Sequence, residues 1–408
     1  MTDMVSEEGQ RPRTALVLSG GGARGAYEVG VVQGILEVLG PLEHSPFDIF
    51  TGTSVGAINT AYFASRAHRR DMGIERLVQL WTGLTLLEDL EVDMFGALGW
   101  GSLEKWFGRG RSEAGPALLR AEPLEDLIRD NLDWDQLHQN INDGLVRACI
   151  VAALRMDSGQ TTLFAEMAPG ADFTASRDPR RTKRLCRLSA DHVLASAAIP
   201  FVFPPRFVDG ATHVDGGLRF NTLLSPALRS GAQRVLVIST RFPPELQPNP
   251  HVNPELNEYG ADLPFLLGKM LSAIMLDPIV YDLQVLERFN RLLDILESTV
   301  DPETLEKIHA ALAEIRGVPY ERIRTLVVAP SEDIGHMASQ YIDRHGMRVG
   351  KGLSARLKSR ALRRIIGGHS DAGSFLLFDG RFLAQLIELG RQDALARRTA
   401  IKAFFDRL

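Results

Sequence analysis

Apolar and polar positions alternate between two periods along the first quarter of the chain. Thr14 to Ser19 is a short apolar run of strand length that flows into Gly20-Gly21-Gly22-Ala23-Arg24-Gly25. Behind it Ala26, Val29, Val32, Leu36 and Leu39 recur at helical spacing, and Gly40-Pro41 stops the helix. A second strand, Phe47 to Phe50, enters Thr51-Gly52-Thr53-Ser54-Val55-Gly56, and a second helix is predicted from Ala57 to about Ala67. Two strand–glycine turn–helix units in succession predict an α/β fold, with a mostly parallel central sheet flanked by helices.

Further along, residues from about 71 to 140 read as helix-rich with glycine breaks. Leu145 to Leu154 reads as a buried strand with Gly159 to Phe164 beside it, and Ala190 to Ala198 as a helix. Phe201 to Pro205 is an extended apolar loop, because each proline biases its predecessor away from helix. Thr212 to Asp215 enters another glycine turn, and Arg234 to Ser239 is a strand. A proline-rich connector at Phe242 to Pro250 precedes a helical region from Leu263 to Ile315, a late strand at Arg324 to Ala329, and a helical tail from Met347.

Composition excludes some classes. The 408 residues are 45% hydrophobic and 24% charged with a net charge of −5, so the chain carries no basic excess of the kind a dedicated nucleic-acid binder has. Two cysteines, Cys149 and Cys186, do not make a disulfide framework and are read as reduced thiols. Met1 to Arg13 has no apolar core of a signal peptide. The longest apolar segment, Leu263 to Leu286, is interrupted by Lys269, Asp277, Pro278 and Asp282, so no transmembrane span is expected. A cytoplasmic chain that visits membrane surfaces peripherally is the expectation.

Three short segments carry chemistry. Gly52-Thr53-Ser54-Val55-Gly56 matches G-x-S-x-G, where a sharp strand-to-helix turn exposes the serine hydroxyl and the helix N-terminus faces any oxyanion that forms. A glycine-rich turn with an incidental serine would spell the same letters, but the flanking strand and helix favour the nucleophile. Gly20 to Gly25 matches G-x-G-x-x-G after a strand. It fits a dinucleotide site with Asp48 as the acidic partner, or an anion hole built from unobstructed backbone amides. His213-Val214-Asp215-Gly216-Gly217 ends a strand on a carboxylate that could serve as base toward a serine, although Asp-Gly-Gly is also an ordinary turn.

Taken together and in this order, GGGARG (20–25), GTSVG (52–56) and DGG (215–217) resemble the patatin-like phospholipase family, as does the block from Ala195 to Pro205. The resemblance covers about residues 14 to 240. It implies a lipid acyl hydrolase of phospholipase A or lysophospholipase type, with Ser54 as nucleophile and Asp215 as base. The implied oxyanion hole is the loop Gly20, Gly21, Gly22, Arg24 and Gly25, with the Gly21 and Gly22 amides as donors. Gly52 and Gly56 shape the serine turn, and Gly216 and Gly217 the acid turn. A flexible stretch 1–13, a catalytic domain 14–240 and a helical extension or lid 241–408, with its late strand joining the sheet, are the expected organisation.

Other readings remain in view. The same dyad would serve a thioesterase or a polyester depolymerase, and the glycine loop a nucleotide-binding protein. A triad would need His213, His309, His336, His345 or His369, none at a distinctive spacing. There is no metal signature, and no metal or cofactor is expected. Basic clusters at Arg177 to Arg187 and Arg356 to Arg364 could meet anionic lipid, but a solvated loop or helix face explains them more simply. Phe201, Phe203 and Phe207 could line an acyl channel or pack in the core. The expected partners are a phospholipid or other lipid ester and, transiently, a membrane surface, with no nucleic acid.

Overall fold

The computed structural model of the chain describes residues 11–84, 122–174, 176, 178–200, 202–243, 279–316, 322–346 and 372–406. The expectations for 1–10, for the glycine breaks between 95 and 115, for most of Leu263 to Leu286 and for Arg356 to Arg364 lie outside these residues, as do Arg177, Phe201 and His369.

One sheet organises the molecule. Its strands are β1 (Thr14–Leu18), β2 (Ile49–Thr53), β3 (Ala148–Arg155), β4 (Thr161–Met167), β5 (Arg181–Leu185), β6 (Arg206–Val208), β7 (Ala211–Asp215), β8 (Arg234–Ile238) and β9 (Arg324–Val328). They run in the order β5-β4-β3-β2-β1-β8-β9, and the β6–β7 hairpin joins through the end of β3. The five strands from β3 through β2, β1 and β8 to β9 are parallel, while β4 and β7 oppose β3. The sheet is thus mostly parallel.

Parallel strands must be covered on both faces, and β1 and β8 are accordingly buried at every position. Along β1 the side chains alternate between two cores. Leu16 and Leu18 join the one containing α1 (Gly25–Leu39), α2 (Val55–Ser65) and helix Gly380–Ala396, whereas Ala15 and Val17 meet helices Leu224–Arg229 and Ile279–Thr299. Strand β9 extends the sheet beyond β8, and helix Arg398–Phe405 covers it.

Two strands were not visible in the sequence. The basic segment read as a solvated loop or helix face is edge strand β5. Asp178 accepts from Arg180 and lies 3.6 Å from the Arg181 guanidinium as an ion pair, while Asp172 accepts from Lys183 and Asp209 from Arg184. Paired charges on an edge strand block further strand addition and leave little net positive charge for anionic lipid. Strand β6 is only three residues long. Its hairpin with β7 turns at Asp209 (φ 51) and Gly210 (φ 82), the left-handed pair that an Asp-Gly type I′ turn requires.

Candidate active site

The site lies where β1 and β2 end. Ligands of open α/β sheets sit outside the carboxyl ends of strands, at the point where the chain switches from one side of the sheet to the other. Here the chain leaves β1 for β2 on one side and later adds β8 on the other. The segments after β1 and β2 become the glycine loop and the serine turn, and β7 delivers Asp215 opposite Ala153.

Strand β2 runs through Thr53 and α2 starts at Val55, so the whole turn is Ser54. The sequence expectation ended the strand at Phe50 and began the helix at Ala57, because glycines there read as loop. The turn is tighter than that. Ser54 adopts φ 56 and ψ −130, a region costly for a residue with a side chain and retained where the surroundings enforce it. Gly52 and Gly56 permit this: a Cβ on Gly52 would run into the Gly56 carbonyl, and one on Gly56 would lie 2.7 Å from the Ser19 carbonyl. Ser196 straps the turn, accepting the Ser54 N–H at 3.0 Å while donating to Ala152 O at 2.6 Å.

Asp215 is fully buried, and its Oδ1 accepts the Gly217 N–H at 2.7 Å. Gly216 packs its Cα against the Ala152 carbonyl, with no room for a Cβ. Burial pushes the Asp215 carboxyl up to about 7, against hydrogen bonding from Ser54 and the Gly217 amide. Its Oδ2 lacks a partner of full hydrogen-bond geometry, so the approach of Ser54 falls short of a full hydrogen bond.

The glycine loop spends its amides selectively. Gly20 N–H donates to Asn221 Oδ1 at 2.8 Å, Arg24 N–H to Gly21 O at 3.1 Å, and Gly25 N–H to Gly22 O. Those of Gly21 and Gly22 have no acceptor among the described residues. Gly22 stands at φ +57, in the left-handed region glycine favours. The N-termini of α1 and α2 both open at this place, so two helix dipoles favour negative charge there. Arg24 is 3% exposed; its guanidinium turns away from the loop amides toward Ser374 and Thr240 O.

A narrow apolar cleft opens on Ser54 and Gly22, walled by Val55, Ile58, Leu77, Trp81, Phe203 and Phe378 among others. Its volume of about 50 Å³ holds one or two waters, so an acyl chain would enter by displacing side chains. Phe203 is at the cleft, whereas Phe207 is 73% exposed and lines nothing there.

Sequence reasoning missed the residues that hold this geometry. Asn221 grips Gly20 from both ends, also donating Nδ2 to Gly20 O at 3.3 Å. Asn59 on α2 donates to Gly25 O at 3.0 Å and to Glu28 Oε2 at 2.9 Å, and accepts from Trp81 Nε1 at 3.1 Å. Burial holds the Glu28 carboxyl well above its usual range. The signal was a polar residue inside an apolar helical stretch, which spacing alone does not distinguish from a tolerated core amide.

Other candidates fall elsewhere. Asp48 accepts from Thr14 N–H at 2.8 Å and pairs with Arg11 at the amino end of β2, opposite the glycine loop, so it cannot meet a ribose held by that loop. His213 approaches Ala211 O at 3.1 Å through Nδ1 and Thr162 Oγ1 at 3.3 Å through Nε2. Cys186, His192 and Asp209 bring ligand-type atoms within 4.8 Å of one another. However, Ser189 N–H donates to His192 Nδ1, which leaves the ring proton on Nε2, the atom that would face an ion. Burial also pushes the Cys186 thiol up to about 12. No helix among the described residues is long and apolar enough to cross a membrane.

Fold and site together define an α/β protein with a glycine loop and a serine turn converging at the carboxyl edge of a parallel sheet. A family model for patatin-like phospholipase matches residues 16–228, more than half of the chain, and the protein belongs to that family. Membership supports a lipid hydrolase. No curated protein sequence matches the chain. Among solved structures it is similar to VipD from Legionella pneumophila, at 12% identity over 93% of this chain and 67% of that one, with a TM-score of 0.31. It is also similar to human GIVD cytosolic phospholipase A2 bound to methyl gamma-linolenyl fluorophosphonate, at 12% identity over 97% of this chain, with a TM-score of 0.39. The chain spans 59% of the length of that human structure.

Proposed function

We propose that the protein is a lipid acyl hydrolase that cleaves carboxylic esters of phospholipids or related lipids through Ser54 and Asp215. The observation that carries this reading is Ser54 itself. A serine held at φ 56 on a one-residue turn, at the floor of an apolar cleft and beside a buried carboxylate, is arranged for attack on an acyl carbonyl.

In the proposed reaction Asp215 takes the Ser54 hydroxyl proton as Oγ bonds to the ester carbonyl carbon. The tetrahedral oxyanion receives hydrogen bonds from the Gly21 and Gly22 amides, in the field of two helix N-termini. Collapse breaks the ester C–O bond, and the departing alcohol leaves with the proton that Asp215 held. Water then attacks the acyl-serine, giving its proton to Asp215, and the carboxylic acid leaves as Ser54 regains its hydrogen. A carboxyl poised near neutrality can serve in both directions.

The test is covalent capture. A fluorophosphonate bearing an alkyl chain should label the wild-type chain at Ser54 and abolish hydrolysis of nitrophenyl esters and phospholipid vesicles, and Ser54→Ala should do neither. Label on another residue, or hydrolysis surviving in Ser54→Ala, would overturn the assignment. Activity on acyl thioesters but not on vesicles would move the substrate class to thioesters.

A further inference from the structure

Three consecutive glycines make a poor scaffold for an oxyanion hole. Each is free to rotate, and two amides must point at one place without reorganising during reaction. The restraints therefore have to come from outside the loop. Gly20 is held by Asn221 and by Thr240, whose Oγ1 donates to Gly20 O at 3.2 Å. The other end of the loop is held by a segment far away in sequence, helix Ala372–Leu376.

Two contacts make that connection. The Arg24 guanidinium donates through Nε (2.9 Å) and Nη2 (2.6 Å) to the single hydroxyl of Ser374, which is fully buried, and its Nη1 reaches Thr240 O at 3.2 Å. It also lies over the Phe375 ring, 4.5 Å from the centroid. The Phe375 carbonyl meanwhile seats against Gly22, where a Cβ would collide with it. Because Arg24 N–H donates to Gly21 O, a guanidinium fixed by Ser374 fixes the peptide that precedes Gly22.

We propose that Ser374, outside the family-matched span, is a positioning residue for the oxyanion loop: through Arg24 it holds the Gly21 and Gly22 amides on the Ser54 side. The inference rests on the hydrolase reading, and it makes the carboxyl-terminal extension part of the catalytic geometry.

The experiment compares Ser374→Ala and Ser374→Thr with the wild-type full-length chain. On a short-chain nitrophenyl ester, Ser374→Ala should lose about 10- to 100-fold in kcat with KM within about twofold, the split expected when an interaction made in the transition state is lost. Ser374→Thr, which keeps the hydroxyl, should recover most of it. Amide hydrogen exchange over residues 20–25 should quicken about tenfold or more in Ser374→Ala while β1 and β8 stay protected. Unchanged kcat with unchanged loop exchange would overturn the proposal, as would a loss tracking only a lowered melting temperature. If the wild-type chain captures no fluorophosphonate and cleaves no ester, the hydrolase reading fails, and the exchange comparison still decides whether Ser374 holds the loop.

Discussion

At the scale of one residue, the buried Asp215 carboxyl carries a pH dependence of its own. In the proposed role of base it must be ionised, so hydrolysis per enzyme should rise with pH through about 7 and level off above it. Stability runs the other way. Burial raises the carboxyl from its ordinary 3.8 to about 7, so the native state holds the proton more tightly than the unfolded chain. The stabilisation from that proton is complete below about 4 and is lost as pH climbs through 7. Asp215→Asn cannot ionise, and it should abolish turnover yet exceed the wild type in stability at pH 8 by a few kcal/mol, about 4 at most, at 1.36 kcal/mol per pH unit. Near pH 4 the two should converge. Urea unfolding at both pH values measures this, and equal stabilities at pH 8 would show an ordinary carboxylate.

Among elements, legibility followed local period. β1, α1, β3, β7 and β8 were readable because apolar runs and 3.6-residue spacing are written in consecutive positions. Gly52 misled the reading of β2, since a glycine that exists for close packing looks like a glycine that exists for a turn. β5 was hidden because an edge strand carrying RTKRL has no apolar face to alternate. The three motif segments were legible because each is local. Ser196, Asn221 and Ser374 were not, because their roles depend on partners 142, 201 and 350 positions away. The crossing of α1 with helix Gly380–Ala396 is invisible for the same reason. A Cβ on Gly30 would run into the Ile387 carbonyl, and one on Gly390 into the Tyr27 carbonyl. Gly30→Ala should therefore destabilise by about 1–3 kcal/mol despite alanine's better helix propensity. A melting temperature equal to or above wild type would mean that the two helices do not cross backbone to backbone.

At the scale of the whole molecule, the family-matched span and the folding unit have different boundaries. The matched residues end at 228, before β8 and β9. Yet β8 sits between β1 and β9 in the sheet, and Val31, Ile35 and Tyr27 on α1 share one core with Phe382, Leu386 and Ile387. Tyr27 also donates its hydroxyl to Asp393 at 3.0 Å, and Arg391 pairs with Glu37 at 2.7 Å. Removing everything after residue 240 would expose this face of α1, unpair the outer edge of β8 and release Arg24 from Ser374. Exposing Tyr27, Val31 and Ile35, each contributing about 1.5–3 kcal/mol of burial, removes an amount comparable to the 5–15 kcal/mol that holds an ordinary protein folded, before the lost strand pairing is counted. A 1–240 fragment should accordingly lack a cooperative thermal transition and bind a hydrophobic dye, whereas the full chain melts cooperatively. A fragment that melts cooperatively and captures fluorophosphonate at the wild-type rate would make the extension an accessory and restrict the catalytic unit to the first 240 residues.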